Sequence, residues 1–568
     1  MNGAVSDNGA YRREFSIVGK ARPSAPRGFG KGGPLHFQEL RAVGNANLYS
    51  LLESGFPGDR SAIAIETPQN NYTWNDIDQQ SAQYANLFKG LNLEAGSRIA
   101  VQVEKSPEAL MLYLAALRSG LIYLPLNTAY REAEVAYFLN DAEPAVVVCS
   151  GANLSWVESL ARKAGCAQVY TLEADGGGSL SELAQSQPSG FATVESRGDD
   201  LAAILYTSGT TGRSKGAMLS HSNLGANALT LKRYWGWRGD DVLLHMLPIF
   251  HVHGLFVASH GALLAGAKTI WLPKFDLEQA LHYLPQSTMM MGVPTYYVRL
   301  LADERFTRDL CGRMRLFISG SAPLLTETFA SFQERTGHTI LERYGMSETV
   351  MLTSNPYDEH DGERIGGTVG RALPGVSVRV VDDAGKLLRA GEIGNVQVCG
   401  PNVFSGYWRM PEKTREEFTS DGWFKTGDVG RLGAALGDDG KPTQSIPDDY
   451  LSIVGRSKDL IISGGFNIYP KEIEMVIDDM PGVAESAVIG VPHPDFGEAV
   501  VAVVVPRPGQ QVDAAAMQAR LKSLVANFKV PKHIALVEQL PRNTMGKVQK
   551  NVLRGDYKGL WQPVSDAG

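Results

Sequence analysis

Short apolar runs recur along the first half of the chain, separated by amphipathic stretches. Leu201 to Tyr206 (LAAILY) is apolar throughout and ends abruptly in a run of glycines and hydroxyl residues, so it predicts a buried strand. Ile63 to Thr67, Arg98 to Val103, Tyr123 to Leu126 and Ala145 to Cys149 predict further strands. Between them, Pro107 to Ser119 (PEALMLYLAALRS) has helical spacing, with proline in its first turn and Gly120 just beyond. Strands alternating with helices indicate a mainly parallel α/β sheet. No internal repeat is visible.

Val242 to Ala267 contains no Asp, Glu, Lys or Arg, which raises the question of a membrane span. It does contain His245, His251, His253 and His260, with Pro248 and several glycines, so it predicts a buried strand, turn and helix instead. The first 46 residues form a different zone. They are Gly- and Pro-rich around Arg22 to Pro34 and carry no apolar run, which excludes a secretory signal and predicts a flexible or surface-draped extension. The expected location is the cytoplasm, with the mitochondrial matrix as the alternative if that extension is a transit peptide.

At 568 residues and 43% hydrophobic content, the chain exceeds what one core can use, so several subdomains are expected. Acidic residues number 61 against 54 Lys plus Arg, which gives no support to a nucleic-acid surface. Cys149, Cys166, Cys311 and Cys399 are scattered without a Cys-x-x-Cys pair, arguing against a zinc site or a disulfide scaffold. No obligate protein partner is evident.

The stretch after Leu201 to Tyr206 carries chemistry. Gly209, Gly212 and Gly216 let backbone N–H groups converge, and Thr207, Ser208, Thr210, Thr211 and Lys215 add hydroxyls and a positive charge. Such a loop wraps an anion, and phosphate is its natural guest. It is not a Walker A loop, because Gly-x4-Gly-Lys-Ser/Thr does not occur here.

The run YTSGTTGRSKGAMLSH resembles the phosphate loop of the adenylate-forming superfamily, which includes acyl-CoA synthetases, luciferases and peptide-synthetase adenylation domains. The likeness extends over about 500 residues. One departure is Ser214, where the family usually has proline. The resemblance implies an α/β multidomain fold: a large part (residues 47–456) of two α/β subdomains plus a small β-barrel-like subdomain, then a small mobile α+β domain (457–568). It also implies ATP and CoA as co-substrates and Mg2+ as cofactor.

The same resemblance carries roles onto particular residues. In FISGSAP, Gly320, Ser321 and Ala322 would hold adenine. In Glu342-Arg343-Tyr344-Gly345-Met346-Ser347-Glu348, Tyr344 would stack on adenine with Gly345 and Met346 beside it, Ser347 would touch phosphate, and Glu348 would bind the metal. Asp428 would accept the ribose hydroxyls and Arg456 would reach the ribose. Lys458 is the expected hinge, and Gly464, Gly465 and Phe466 the CoA channel. Lys547, in Pro541-Arg542-Asn543-Thr544-Met545-Gly546-Lys547, is the expected catalytic lysine. His251, after the Pro-Ile-Phe turn, would gate the carboxylate tunnel, although His251 and His253 at i, i+2 fit a pair of satisfied core histidines equally well. The stretch 432–449 is longer than the usual hairpin and predicts an exposed loop.

For the acid, Arg343 replaces the small residue usual before the motif tyrosine, and Arg299 lies on a predicted helix beside the acyl pocket. The local wording resembles malonyl-CoA synthetases. An arginine there suits a short dicarboxylic acid, whose second carboxylate would otherwise be buried unpaired. The alternative is that Arg343 and Arg299 pair with Glu342 or Asp303. The sequence therefore predicts malonate, with methylmalonate or another short acid as alternatives, and a carrier-loading adenylation enzyme or an inactive nucleotide-binding scaffold as rival classes.

Overall fold

A strand hidden on both faces needs cover on both sides, and two of the four sheets meet that need. The computed structural model describes residues 45–207, 214–437, 440–463, 466–525, 527–543 and 546–561, and backbone only at 466–467. The N-terminal extension, except its last two residues, lies outside the described residues, as do Ser208, Gly209, Thr210, Thr211, Gly464 and Gly465.

A six-stranded sheet has the spatial order Gln168–Thr171, Val146–Cys149, Arg98–Gln102, Ile122–Pro125, Leu201–Thr207, Lys215–Ser220. The first five strands pair parallel. The last pair is antiparallel, with Thr207 opposite Lys215. Ile122–Pro125 and Val146–Cys149 are buried at every position, as strands covered on both faces must be. Pro107–Arg118 forms the helix its spacing predicts, capped by Ser106, and even its Glu108 and Arg118 are buried.

A nine-stranded sheet runs Arg371–Ala372, Val350–Ser354, Ile340–Met346, Leu316–Ser319, Met289–Gly292, Val242–His245, Lys268–Trp271, Ile63–Glu66, Asn71–Thr73. Its centre is parallel and its two ends are antiparallel. The uncharged segment resolves into the strand Val242–His245, a π-helical turn His253–Ser259 and the helix His260–Ala265. Among the described residues no helix is long and apolar enough to cross a membrane.

The third sheet is the small all-β unit, four antiparallel strands: Ser377–Val381, Gly394–Cys399, Phe424–Leu432 and Leu451–Arg456. After the short turn Ser457–Asp459 the chain builds a fourth sheet of five strands, centred on Val483–His493 and Gly497–Pro506. Helices pack on it around buried clusters of its own, with Ile473, Ile477 and Val488 in one and Ile489, Val501 and Leu540 in the other. The fold is thus α/β and multidomain. Most described residues of 432–449 are exposed, with Leu436 bridging to Pro442.

Asp428 is presented from within a strand, not from a strand end. It lies inside Phe424–Leu432, where Gly427 has φ +72 and the register shifts between Val429 and Gly430. An irregularity of this kind re-aims a side chain from within a strand.

Candidate active site

In open α/β sheets, ligands bind beyond the carboxyl ends of the strands. Leu316–Ser319 runs into Gly320, Ser321 and Ala322, and its parallel neighbour Ile340–Met346 delivers Arg343, Tyr344, Gly345 and Met346, followed by Ser347 and Glu348. Ser321 has φ +70, a left-handed conformation that a non-glycine residue holds only where its surroundings impose it. Gly345 is required sterically, because a β-carbon there would stand 1.8 Å from the Val350 carbonyl oxygen.

Tyr344, Asp428 and Arg456 form one cluster. The Tyr344 hydroxyl donates to Asp428 Oδ2, while Arg456 Nε stands 3.2 Å from Asp428 Oδ1. Asp428 and Arg456 are cross-strand partners, so the backbone ladder fixes the pair. Burial, and next the Asp428 carboxylate, push the Tyr344 phenol well above its ordinary value. The same carboxylate raises Arg456. An aromatic ring beside a buried carboxylate and a guanidinium can hold a planar heterocycle and a diol.

Glu348 is buried, and its Oε1 accepts the Tyr407 hydroxyl at 3.0 Å. Burial raises this carboxyl above its ordinary value. No cationic side chain among the described residues forms an ion pair with it. A lone buried carboxylate suits Mg2+, which takes one or two protein carboxylates and completes its shell with phosphate oxygens and water. Lys215 is engaged elsewhere: its Nζ lies 3.3 Å from Glu417 Oε1 and 4.6 Å from the centre of the Tyr407 ring. Thr207 Oγ1 reaches the Lys215 carbonyl at 3.5 Å. Ser347 and His251 line one cavity with Asn127, Tyr130 and Tyr206.

The part that builds the fourth sheet also brings Lys547, between the strand His533–Leu536 and the helix Lys550–Tyr557, to this cleft. Its backbone N–H donates to Asn543 Oδ1 at 2.9 Å, and Arg542 Nη1 donates to the Gly546 carbonyl at 2.6 Å, which shapes the turn. A β-carbon on Gly546 would stand 3.9 Å from Thr295 Oγ1, so the turn abuts the helix Pro294–Leu301 of the large part. Burial, and then repulsion from Arg456, lower Lys547 to about 8, with Asp428, Arg343 and Glu348 also in electrostatic reach. Lys458 is exposed in the turn Ser457–Asp459, and the Phe466 backbone pairs with Ser463.

Arg343 is buried with Nε and Nη2 lacking any hydrogen-bond partner. Those two nitrogens form one edge of the guanidinium fork, the edge that takes a carboxylate bidentately. Glu342 does not serve as its partner. Alternation along the strand sends the Glu342 carboxyl elsewhere, to accept the Leu324 N–H at 3.1 Å. Burial lowers Arg343 to about 9, consistent with a cation without a counter-charge in contact.

His253 joins this group: its Nδ1 lies 3.3 Å from Ser321 Oγ, its buried Nε2 has no partner, and Arg343 is among the charges that depress it. Burial, Lys547 and Arg343 hold His251 down to about 3, so its ring is neutral. The histidine turn is held from behind. Lys105 Nζ reaches His245 Nδ1 at 2.9 Å, and His245 Nε2 reaches the Gly254 carbonyl at 3.0 Å.

Arg299 is not brought to this cluster. It is exposed on the helix Pro294–Leu301, 5.9 Å from the Phe275 ring centre, because its position turns it outward while Tyr297 and Leu300 face the core. Asp303 pairs with Arg305, not Arg299. Sequence reasoning did not place His253 beside Ser321, and it missed Tyr407 and the Lys105–His245 support. Tyr407 stands 59 residues from Glu348 and carries no motif of its own, so only the fold relates them.

The family description "AMP-binding enzyme" matches residues 54–408, and "AMP-binding enzyme C-terminal domain" matches residues 472–547. The chain belongs to the AMP-binding enzyme family. Within it, the mitochondrial malonate–CoA ligase ACSF3 of Mus musculus is 36% identical over 537 residues, covering 87% of this chain and 88% of that protein. An indoleacetate–CoA ligase of Aromatoleum aromaticum is 32% identical over 496 residues, covering 86% of this chain and 94% of that protein. The crystal structure of ATP-bound MatB from Rhodopseudomonas palustris is 53% identical, with TM-score 0.86, covering 91% of this chain and all of that one. The apo form of MatB gives TM-score 0.76 over the same share.

Proposed function

We propose that this protein is an ATP-dependent malonate:CoA ligase that forms malonyl-CoA, AMP and pyrophosphate, and that it accepts methylmalonate as a close variant. Membership of a family with both malonate and arylacetate ligases leaves the acid to be argued from the pocket. The observation that carries it is Arg343, a buried guanidinium with two adjacent donors unpartnered beside Gly320, Ser321 and His253. A second carboxylate satisfies those donors. An alkyl or aryl acid leaves them unpaired, and a site built around a buried polar partner can discriminate by about 10⁴.

Two half-reactions follow. A carboxylate oxygen of malonate attacks the α-phosphorus of ATP, the bond to the bridging oxygen breaks, and pyrophosphate leaves. The anionic charge on phosphorus is met by Lys547 and by the N–H groups of the glycine loop. Tyr344 carries adenine between the Gly320–Ala322 turn and Gly345–Met346, while Asp428 and Arg456 take the ribose. Glu348 and Ser347 face the phosphates. Glu348 would hold Mg2+, which supplies charge neutralisation on phosphate oxygens. His251 stays neutral and packs at the entrance to the carboxylate. In the second half-reaction the CoA thiolate attacks the acyl carbon and AMP departs.

Lys547 now occupies the cleft that the thiol must enter, so the part beyond Arg456 turns about Lys458 and presents residues 464–466 between the steps. For location, the cytoplasm is the primary assignment. The mitochondrial matrix is the second, favoured by the name of the murine relative, and fractionation of cells expressing the tagged full chain decides between them.

The test is AMP release with malonate, methylmalonate, succinate, acetate and octanoate, each with and without Mg2+. Malonate is expected to lead by at least about 100-fold in kcat/KM over acetate and octanoate. Acetate or octanoate outrunning malonate would overturn the dicarboxylate reading.

A further inference from the structure

The hairpin that carries the glycine loop is held on both stems by one helix that no motif includes. In Glu132–Ala142, Tyr137 and Asp141 lie four residues apart and so share a face. Tyr137 donates its hydroxyl to the Ser214 carbonyl at 2.8 Å, on the stem leaving the loop. Asp141 Oδ2 accepts the Tyr206 hydroxyl at 2.5 Å, on the stem entering it. The two stems meet through the pairs Tyr206 with Gly216 and Thr207 with Lys215.

The contacts reinforce one another. Trp408 donates its indole N–H to the Asp141 carbonyl at 3.1 Å and its backbone N–H to the Gly216 carbonyl at 2.7 Å, tying the helix end to the second stem again. Phe138 packs on the Tyr206 ring with centroids 4.5 Å apart. Both tyrosine hydroxyls are part-buried, so each bond is made where competing water is scarce.

We propose that Tyr137 and Asp141 are positioning residues for ATP, a two-point clamp that fixes the stem residues Tyr206 and Ser214 and so sets Thr207 and Lys215 beside them toward the phosphates. The proposal rests on the ligase reading for its nucleotide. Neither residue touches the reacting atoms. Each acts by holding backbone at Ser214 or the ring of Tyr206. A displacement of about 1 Å in groups that bind a reacting phosphate is enough to lower rate by about 100-fold, so loss of one clamp point is expected to register at ATP alone.

The test uses the full chain with Tyr137→Phe, which removes one hydroxyl, and Asp141→Asn, which keeps an acceptor and removes the charge. Expected for Tyr137→Phe is a rise of about 5- to 20-fold in KM for ATP, and for Asp141→Asn a smaller rise in the same direction. KM for malonate and for CoA should stay within about twofold in both variants, melting temperature should hold, and thioester formation from supplied malonyl-adenylate should be unaffected. KM for ATP unchanged in both variants, or all three KM values moving together with a fall in melting temperature, would overturn the clamp. Wild-type protein that releases no AMP with any acid sinks the ligase reading instead. In that event the clamp is judged by calorimetric titration of the same variants with ATP, where unchanged affinity overturns it and weakened affinity at constant melting temperature supports it.

Discussion

Arg343 lies so close over Gly320 that a β-carbon on the glycine would stand 2.4 Å from the guanidinium carbon. A cation therefore rests there on bare backbone, with its Nε and Nη2 buried and unpartnered.

Two substitutions read that relationship. Arg343→Met removes the buried charge at similar length. It should lower kcat/KM for malonate at least about 100-fold while raising that for propionate or butyrate, and should hold or raise the melting temperature, since no contacting partner charge is orphaned. Gly320→Ala pushes the guanidinium aside and should raise KM for malonate with little change in KM for CoA. Steady-state kinetics with the acid panel checks both. Undiminished malonate activity in Arg343→Met would remove the basis for dicarboxylate recognition.

Lys547 should give adenylation a falling limb at alkaline pH. Burial and Arg456 bring its ammonium down to about 8, and only the protonated form can meet charge on phosphorus, so the rate falls as pH rises through that value. His251, held near 3, adds no acid limb in the neutral range. Lys547→Ala should abolish the limb and slow adenylation roughly 10²–10³-fold, leaving thioester formation from malonyl-adenylate largely intact. Pyrophosphate release across pH, set against thioester formation from supplied adenylate, separates the two steps.

Tyr407 supports Glu348 through a single hydroxyl bond. Tyr407→Phe leaves a buried carboxylate oxygen without its donor, and partners of this kind typically alter metal affinity by about tenfold or more. The Mg2+ concentration for half-maximal AMP release should rise by about that factor. An unchanged Mg2+ dependence would detach Glu348 from the metal.

Asp478 in the small part makes stability depend on pH. Burial raises its carboxyl to about 7, against the ordinary 3.8; it accepts the Ser486 hydroxyl at 2.7 Å and lies 4.0 Å from Lys471, with Glu474 and Glu485 adding repulsion. A carboxyl raised in the folded state stabilises fully below its unfolded value, and that contribution is lost as pH rises through about 7. Asp478→Asn should therefore raise the melting temperature at pH above 7 and change it little near the unfolded value. Calorimetry at several pH values tests the sign.

Much of this was legible beforehand. Apolar runs marked Leu201 to Tyr206 and Tyr123 to Leu126 as buried strands, observed as Leu201–Thr207 and Ile122–Pro125, and the histidines and Pro248 broke the uncharged segment into strand, turn and helix, because both signals are local. The two arginines proposed for the acid were not separable by sequence. Arg343 and Arg299 are equally basic and equally near the pocket in wording, yet one is buried over Gly320 and the other is exposed beside Phe275. Ser214 read as a missing proline, and the structure supplies a bond from Tyr137 at its carbonyl.

What the sequence determined by itself was the order of elements and the chemical vocabulary of the cleft, since glycines, caps and apolar spacing act between neighbours along the chain. The tertiary structure alone decided which groups meet: Tyr407 with Glu348, Tyr137 with Ser214, His253 with Ser321, and Lys547 with the cleft of the large part. Those meetings depend on sheet order, helix facing and the packing of one part on another. Burial and charge pairing act through space, and no local pattern along the chain records them.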